Sequence, residues 1–128
     1  MLRVKTRLGP SAIHGTGLFS EENLPAGTVV WRLDPAVDLR LTRAQFESLT
    51  GPGGEQVRKY CYKDLVLGEY ILCGDDARFF NHSDEPNCLD YPDEDGGTTV
   101  AARDIRAGEE LTSDYAAFDA EHQPYVPR

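Results

Sequence analysis

The sequence predicts one mainly β domain carrying a small helical insert. Short β-type runs separated by Gly and Pro dominate it. Helical signals gather near 42–62, and 128 residues without a linker suit a single core.

The elements follow in order. "LRVKTRL" (2–8), "GLFS" (17–20) and "TVVWRL" (28–33) read as strands. "LTRAQFESL" then opens a helix. Thr42 with Gln45 three residues on is a capping-box pattern, in which each side chain satisfies the other's backbone N–H. "GPGG" (51–54) is expected to end that helix, and a second short one to cover "EQVRKYCY" (55–62). "LVLGEYILC" (65–73), "TTVAARDI" (98–105) and "ELTSDY" (110–115) return to strands. One internal echo is informative: "SEENLPAGTVV" (20–30) and "AARDIRAGEEL" (101–111) share Asn or Asp, an aliphatic, any residue, and Ala-Gly. The glycine can take positive φ in a tight turn. Each copy reads as a strand that ends, turns and restarts, or as an ordinary turn.

Composition narrows the function classes. Thirteen basic against 22 acidic residues give a net charge of −9, which argues against nucleic acid and for neutral or cationic partners. No apolar run is long enough for a membrane span, and "MLRVKTRLGP" lacks a signal-peptide core, so a soluble cytoplasmic protein is expected. Cys61, Cys73 and Cys88 are odd in number and widely spaced. They form neither a disulfide framework nor a zinc pattern, and read as buried free thiols.

Three stretches carry chemistry. In "SAIHGTGLFS", Gly15 and Gly17 flank Thr16, so a ligand can approach the backbone of a loop with few Cβ atoms; it is not a dinucleotide fingerprint. In "ARFFNHSDEPNC", Phe79 and Phe80 run directly into Asn81, His82 and Ser83, a polar cluster that needs partners from the fold or from a ligand. "GEELTSDYAAF" ends in Asp114, Tyr115 and Phe118. The Tyr115 hydroxyl could orient a cation, accept a proton or belong to the core.

Taken together and in this order, "HGTGLF", "ARFFNHSDEPNC" and "GEELTSDY" strongly resemble the SET-domain protein lysine methyltransferases, from about residue 3 to 118. The resemblance is to short stand-alone microbial or viral members. It implies a β-clip of small twisted sheets with a C-terminal pseudoknot where "RFFNHS" meets "LTSDY", the domain spanning 1–118 and a tail 119–128. Phe79 and Phe80 would anchor the knot. It implies S-adenosylmethionine as cofactor, with Asn81 at its methionine part, His82 at the adenine, and Ile13, His14, Gly15, Thr16 and Gly17 lining it. Tyr60, Arg78 and Phe118 would complete that site. Tyr115 matches the catalytic tyrosine, with Tyr60, Tyr62 and Ser113 along the lysine channel. The implied substrate is a lysine-containing protein.

The sequence departs from the family at several points. Asp84 stands where many relatives have Cys, and no Cys follows Cys88, so no structural zinc is expected. Ser113 replaces a larger aromatic, which would enlarge the pocket unless Tyr60 or Tyr62 refills it. Thirteen residues follow Tyr115; Phe118, His122 and Tyr125, or a second subunit in a homodimer, would have to close the channel, unless the tail frays. If the protein is viral or enters a host, a nuclear location would follow. Phe79 to Ala102 lacks Lys and Arg but holds Asp84, Glu85, Asp90, Asp93, Glu94 and Asp95, a solvated loop or a rim that attracts lysine-rich segments. Two other classes remain on the sequence: a non-catalytic clip that binds the cofactor or a lysine-rich peptide, and a metal-binding β protein using Cys73, His82 and Cys88.

Overall fold

A computed structural model describes residues 1–121, and within them ten short strands form four small sheets. Strands β1 (Thr6–Pro10) and β2 (Thr16–Ser20) make an antiparallel hairpin. Strand β3 (Val29–Arg32) joins β9 (Thr98–Ala101) and β8 (Cys88–Tyr91) in the order β3-β9-β8. A third sheet sets β6 (Tyr70–Leu72) between β4 (Leu39–Leu41) and β5 (Tyr62–Lys63). The fourth is the parallel pair β7 (Asn81–His82) and β10 (Thr112–Ser113). The mainly β expectation holds.

The insert departs from its expected boundaries. Helix α1 covers Arg43–Glu47 and keeps the capping box: Gln45 N donates to Thr42 Oγ1 at 3.1 Å and Thr42 N to Gln45 Oε1 at 2.9 Å. "GPGG" does not terminate α1; it opens α2 (Gly51–Tyr60). Proline fits a first helical turn, whose N–H groups have no intrahelical acceptor, so Pro52 starts this helix at no cost in bonding. Helix α2 stops at Tyr60 because Tyr62 and Lys63 pair with Ile71 and Tyr70 in the β5–β6 ladder.

The sequence echo becomes a reciprocal pair of turns. Leu24 and Ile105 exchange backbone hydrogen bonds at 2.7 and 2.8 Å. Ala26 N donates to Asp104 Oδ1 at 2.8 Å, and Ala107 N returns the contact to Asn23 Oδ1 at 3.0 Å. Gly27 (φ +86°) and Gly108 (φ +95°) supply the left-handed positions both turns need. The repeated Asn or Asp is therefore an acceptor for the other copy's turn.

Two apolar clusters lie under these sheets. One holds Leu18, Leu24, Val30, Cys88, Ala101, Ile105 and Leu111; the other holds Trp31, Leu33, Ile71, Cys73 and Ala77. Leu2 and Phe80 pack against both. Phe79 and Phe80 are half-buried rather than sealed, and Phe79 also tilts against Tyr60 at 5.6 Å between ring centroids. No helix among the described residues is long and apolar enough to cross a membrane.

Candidate functional site

Strands β7 and β10 bring the two polar motifs together. Asn81 lies opposite Thr112 and His82 opposite Ser113, in parallel register. A 3₁₀ turn, Asp76–Phe79, precedes β7 and is capped by Asp75, whose Oδ1 accepts from Ala77 N at 3.0 Å. A second, Tyr115–Ala117, follows β10 and is capped by Asp114 through Ala116 N, also at 3.0 Å. Both caps fix how the chain enters or leaves the strand pair.

Buried polar groups behind the pair are fully used. Asn87 Nδ2 donates to the Glu110 carbonyl at 2.7 Å, and Asn87 Oδ1 accepts from Thr112 N at 2.9 Å. This explains why an asparagine follows Pro86: its amide joins the two motifs where no backbone partner is available.

The glycine loop is tied to the same place through Glu110. Ser11 Oγ donates to Glu110 Oε1 at 2.7 Å and accepts from Ile13 N at 2.9 Å. Asn81 Nδ2 reaches Glu110 Oε2 at 2.9 Å and the His14 carbonyl at 3.0 Å. Asn81 is thus a clamp on the loop as well as a wall residue, which the sequence reading missed. Gly17 is a correction: it does not line the cavity. A Cβ there would stand 2.5 Å from Glu110 Oε2, so this glycine makes room for the glutamate rather than for a ligand. Gly15 sits at φ +48° with open space around its would-be Cβ.

These elements enclose a cavity of about 780 Å³. Ile13, His14, Gly15 and Thr16 line it, with Tyr60 and Arg78. Asn81 and His82 face it from β7, and Tyr62, Ser113, Tyr115 and Phe118 complete the expected set. Its edge-to-face rings run His82–Tyr115 (5.3 Å), Tyr115–Phe118 (5.5 Å) and Phe118–Tyr62 (4.9 Å). The Arg78 guanidinium stands 5.9 Å from the Tyr60 ring centre.

Tyr115 donates its hydroxyl to the Phe80 carbonyl. Burial pushes its phenol up to about 12, with the Asp119 charge adding to the rise. It stays protonated at neutral pH and is no general base. Tyr115 N donates to His82 Nδ1 at 3.1 Å, which places the imidazole proton on Nε2, 2.9 Å from Asp84 Oδ1. The Asp84 that replaces the expected cysteine therefore orients this histidine.

Cys73 and Cys88 are buried thiols as expected, whereas Cys61 is only half-buried and lines the cavity. Burial pushes Cys61 up to about 11, Cys88 to about 12 and Cys73 higher still, so all three stay protonated at neutral pH. Cys73 and Cys88 sit in different clusters, and no group of three or more potential ligands among the described residues is placed to hold a metal. Residues 119–121, assigned to the tail by the sequence reading, bond back to the domain: Ala120 N donates to the Lys63 carbonyl at 2.7 Å, and Tyr70 donates its hydroxyl to Glu121. His122 and Tyr125 lie outside the described residues.

The SET-domain sequence profile matches residues 15–116, most of the chain. The chain belongs to the SET-domain family. Among curated proteins it is similar to human histone-lysine N-methyltransferase 2B, at 35% identity over 82% of this chain. It is also similar to the Schizosaccharomyces pombe H3 lysine-36-specific and H3 lysine-4-specific histone-lysine N-methyltransferases, at 35% over 86% and 32% over 84% of this chain. The chain spans 4%, 15% and 12% of the length of these three relatives. Among solved structures, a Plasmodium falciparum protein named as a histone methyltransferase matches with a TM-score of 0.63 and 19% identity, over 89% of this chain and 95% of that one. A Polycomb Repressive Complex 2 structure bound to S-adenosylmethionine matches at 0.64 and 24%, over 92% of this chain and 16% of that one. These likenesses fix the fold as SET-type.

Within this SET domain three side chains escaped the sequence reading. Glu110 was legible as part of "GEEL" but not as the hub of the loop. Asp90 was legible only as part of an acidic loop or rim, whereas it lies in β8 and lines the cavity. Trp31 carried no signal, because a strand alone does not reveal which face meets a cavity.

Proposed function

We propose that the protein is an S-adenosylmethionine-dependent protein-lysine N-methyltransferase. The observation that carries this reading is one cavity lined by the glycine loop, the β7 polar pair and the Tyr115–Phe118 rings. Its volume falls within the range of about 300–1,000 Å³ typical for small-molecule sites, and its lining offers the backbone, amide and aromatic surfaces such a cofactor needs. When bound, the cofactor supplies an activated methyl group and a sulfonium charge. Ile13 to Thr16, Asn81 and His82 would hold it, with Tyr60, Arg78 and Phe118 at its flanks. Tyr115, whose O–H donates to the Phe80 carbonyl, presents a lone pair that can receive an N–H of the target amine and hold it in line. Tyr62 and Phe118 keep water away from that amine, and a dry site favours its neutral form. The relatives' names make histones the first substrates to try. Net charge −9 and the exposed Glu94 and Asp95 suit a cationic segment.

Two experiments test this. Labelled cofactor incubated with the protein and either core histones or a cell lysate should label lysines, mapped by mass spectrometry; label-free lysines in both would reject the activity. Asn81→Ala should raise the cofactor Kd about tenfold by calorimetry, the scale of one or two amide contacts. An unchanged Kd with intact circular dichroism would remove Asn81 from the site.

A cytoplasmic location and a symmetric homodimer, in which a second copy would add a wall to the channel, belong to the same proposal. Sedimentation should then give twice the monomer mass at tens of micromolar; a fully active monomer would reject the dimer.

A further inference from the structure

The three-stranded sheet turns one polar row toward the cavity. Trp31, Thr99 and Asp90 lie opposite one another across β3, β9 and β8, and all three line the cavity. Residues opposed in this way project from one face of a sheet. Within the row Thr99 Oγ1 donates to Asp90 Oδ1 at 2.6 Å. The ends lack a well-formed hydrogen bond: Trp31 Nε1 and Asp90 Oδ2 are buried and have no partner of good geometry among the described residues, although the Ser113 hydroxyl lies close enough to Asp90 to stabilise its charge. A buried carboxylate oxygen without a donor is costly, and such groups mark a place that a ligand or a water fills.

The donor that suits Oδ2 must be small, cationic and able to enter a cavity walled by Ser113 and Tyr115. A lysine ε-ammonium has these properties: three N–H donors and no acceptor, on a slender stem. We propose that Asp90 Oδ2 receives the target ε-ammonium and accepts its proton. This rests on the lysine methyltransferase reading. In the step, an N–H bond breaks with its electron pair left on nitrogen, an O–H bond forms on Oδ2, and the neutral amine beside Tyr115 becomes the nucleophile. The Asp90 carboxyl then returns the proton to solvent.

The surroundings favour that exchange. Burial raises the Asp90 carboxyl to about 6, the Thr99 and Ser113 hydroxyls pull it partly back, and Asp114 raises it further. Cys88 on the same strand, Tyr62 from β5 and Tyr115 after β10 all have pKa values raised by burial, so they remain uncharged at neutral pH. Asp90 is therefore mostly ionised at pH 7, yet more basic than an ordinary carboxylate, whose reference pKa is about 3.9. The gap to an amine at about 10.4 is narrowed from both sides, since a dry channel lowers the ammonium.

Two readouts test the proposal on the full chain. In methyl transfer to core histones, the parent kcat/KM should be level from about pH 7 to 9 and fall below about pH 6, where Asp90 protonates. Asp90→Asn keeps the size and can still accept from Thr99, so its melting curve should match the parent. Its kcat/KM should be about 10²-fold lower at pH 7 and should rise about tenfold per pH unit toward the lysine pKa, with cofactor Kd unchanged. Asp90→Glu should recover part of the rate. A parent-like rate and profile in Asp90→Asn would overturn the assignment.

The second readout needs no turnover: the Asp90 carboxyl is titrated by carbon NMR with and without n-butylammonium, a lysine side-chain probe. Its midpoint should drop when the cation binds, since an opposite charge favours the ionised acid. An unmoved midpoint overturns the proposal. If the parent fails to methylate histones and lysate proteins, the activity reading falls, while the n-butylammonium titration still decides whether Asp90 receives an ammonium.

Discussion

Replacing Tyr115 by Phe is expected to lower methyl transfer to core histones by about 10²-fold or more while leaving S-adenosylmethionine affinity within about twofold, the scale of one oriented polar group lost from a dry site. The ring stays, so its edge contacts to His82 and Phe118 stay. What leaves is the hydroxyl that donates to the Phe80 carbonyl. That carbonyl then lacks a donor, and stability should fall by about 1 kcal/mol, visible in a melting curve. Both losses are expected together, so a melting shift alone decides nothing; saturating-cofactor turnover does. A Phe variant that turns over near the parent rate would make Tyr115 a structural tyrosine and leave the clip as a binding module.

Glu110→Ala should weaken cofactor binding about thirtyfold or more, a larger effect than Asn81→Ala although Glu110 does not line the cavity. The glutamate accepts from Ser11 and Asn81, and Ser11 in turn holds the Ile13 N–H. Removing it releases the loop at both of these points. Amide exchange at Ile13 and His14 should accelerate, while exchange in β9, the central strand of its three-stranded sheet, stays slow. Calorimetry and hydrogen exchange measure the two parts separately. An affinity that holds while the loop loosens would mean that Asn81 alone sets the site.

Much of this was legible in the residues. The capping box at Thr42 and Gln45 acts within four residues, so a local pattern suffices to read it. The two motifs carry their own polar partners and were readable for the same reason. The first misreading was also local: "GPGG" is as compatible with a helix start as with a stop, and the proline in the first turn of α2 is the start reading. Gly17 was assigned to a ligand because a glycine says only that a Cβ is unwelcome, not which neighbour excludes it. The neighbour is Glu110, some ninety residues away in sequence and adjacent in space. Asp90 was read with its acidic neighbours as a solvated loop or rim, because its place in the cavity wall is set by its register against Thr99 and, through it, Trp31.

The reciprocal turns have a consequence for how the site comes into being. Their cross-contacts join positions 78 and 84 residues apart, and β7 meets β10 across a further long span. Closing loops of that length costs entropy before any contact repays it, so chains with such pairings fold slowly. During synthesis the first copy, near residue 24, leaves the ribosome with no partner and must wait for the second, near residue 105. Leu18, Leu24 and Val30 stay uncovered in that interval, because the residues that bury them include Ile105 and Leu111. The cavity is thus a late product of folding: neither the glycine loop nor the β7 pair has its wall until the final quarter of the domain arrives. Cofactor present at that moment would bind the finished state alone and draw the chain toward it.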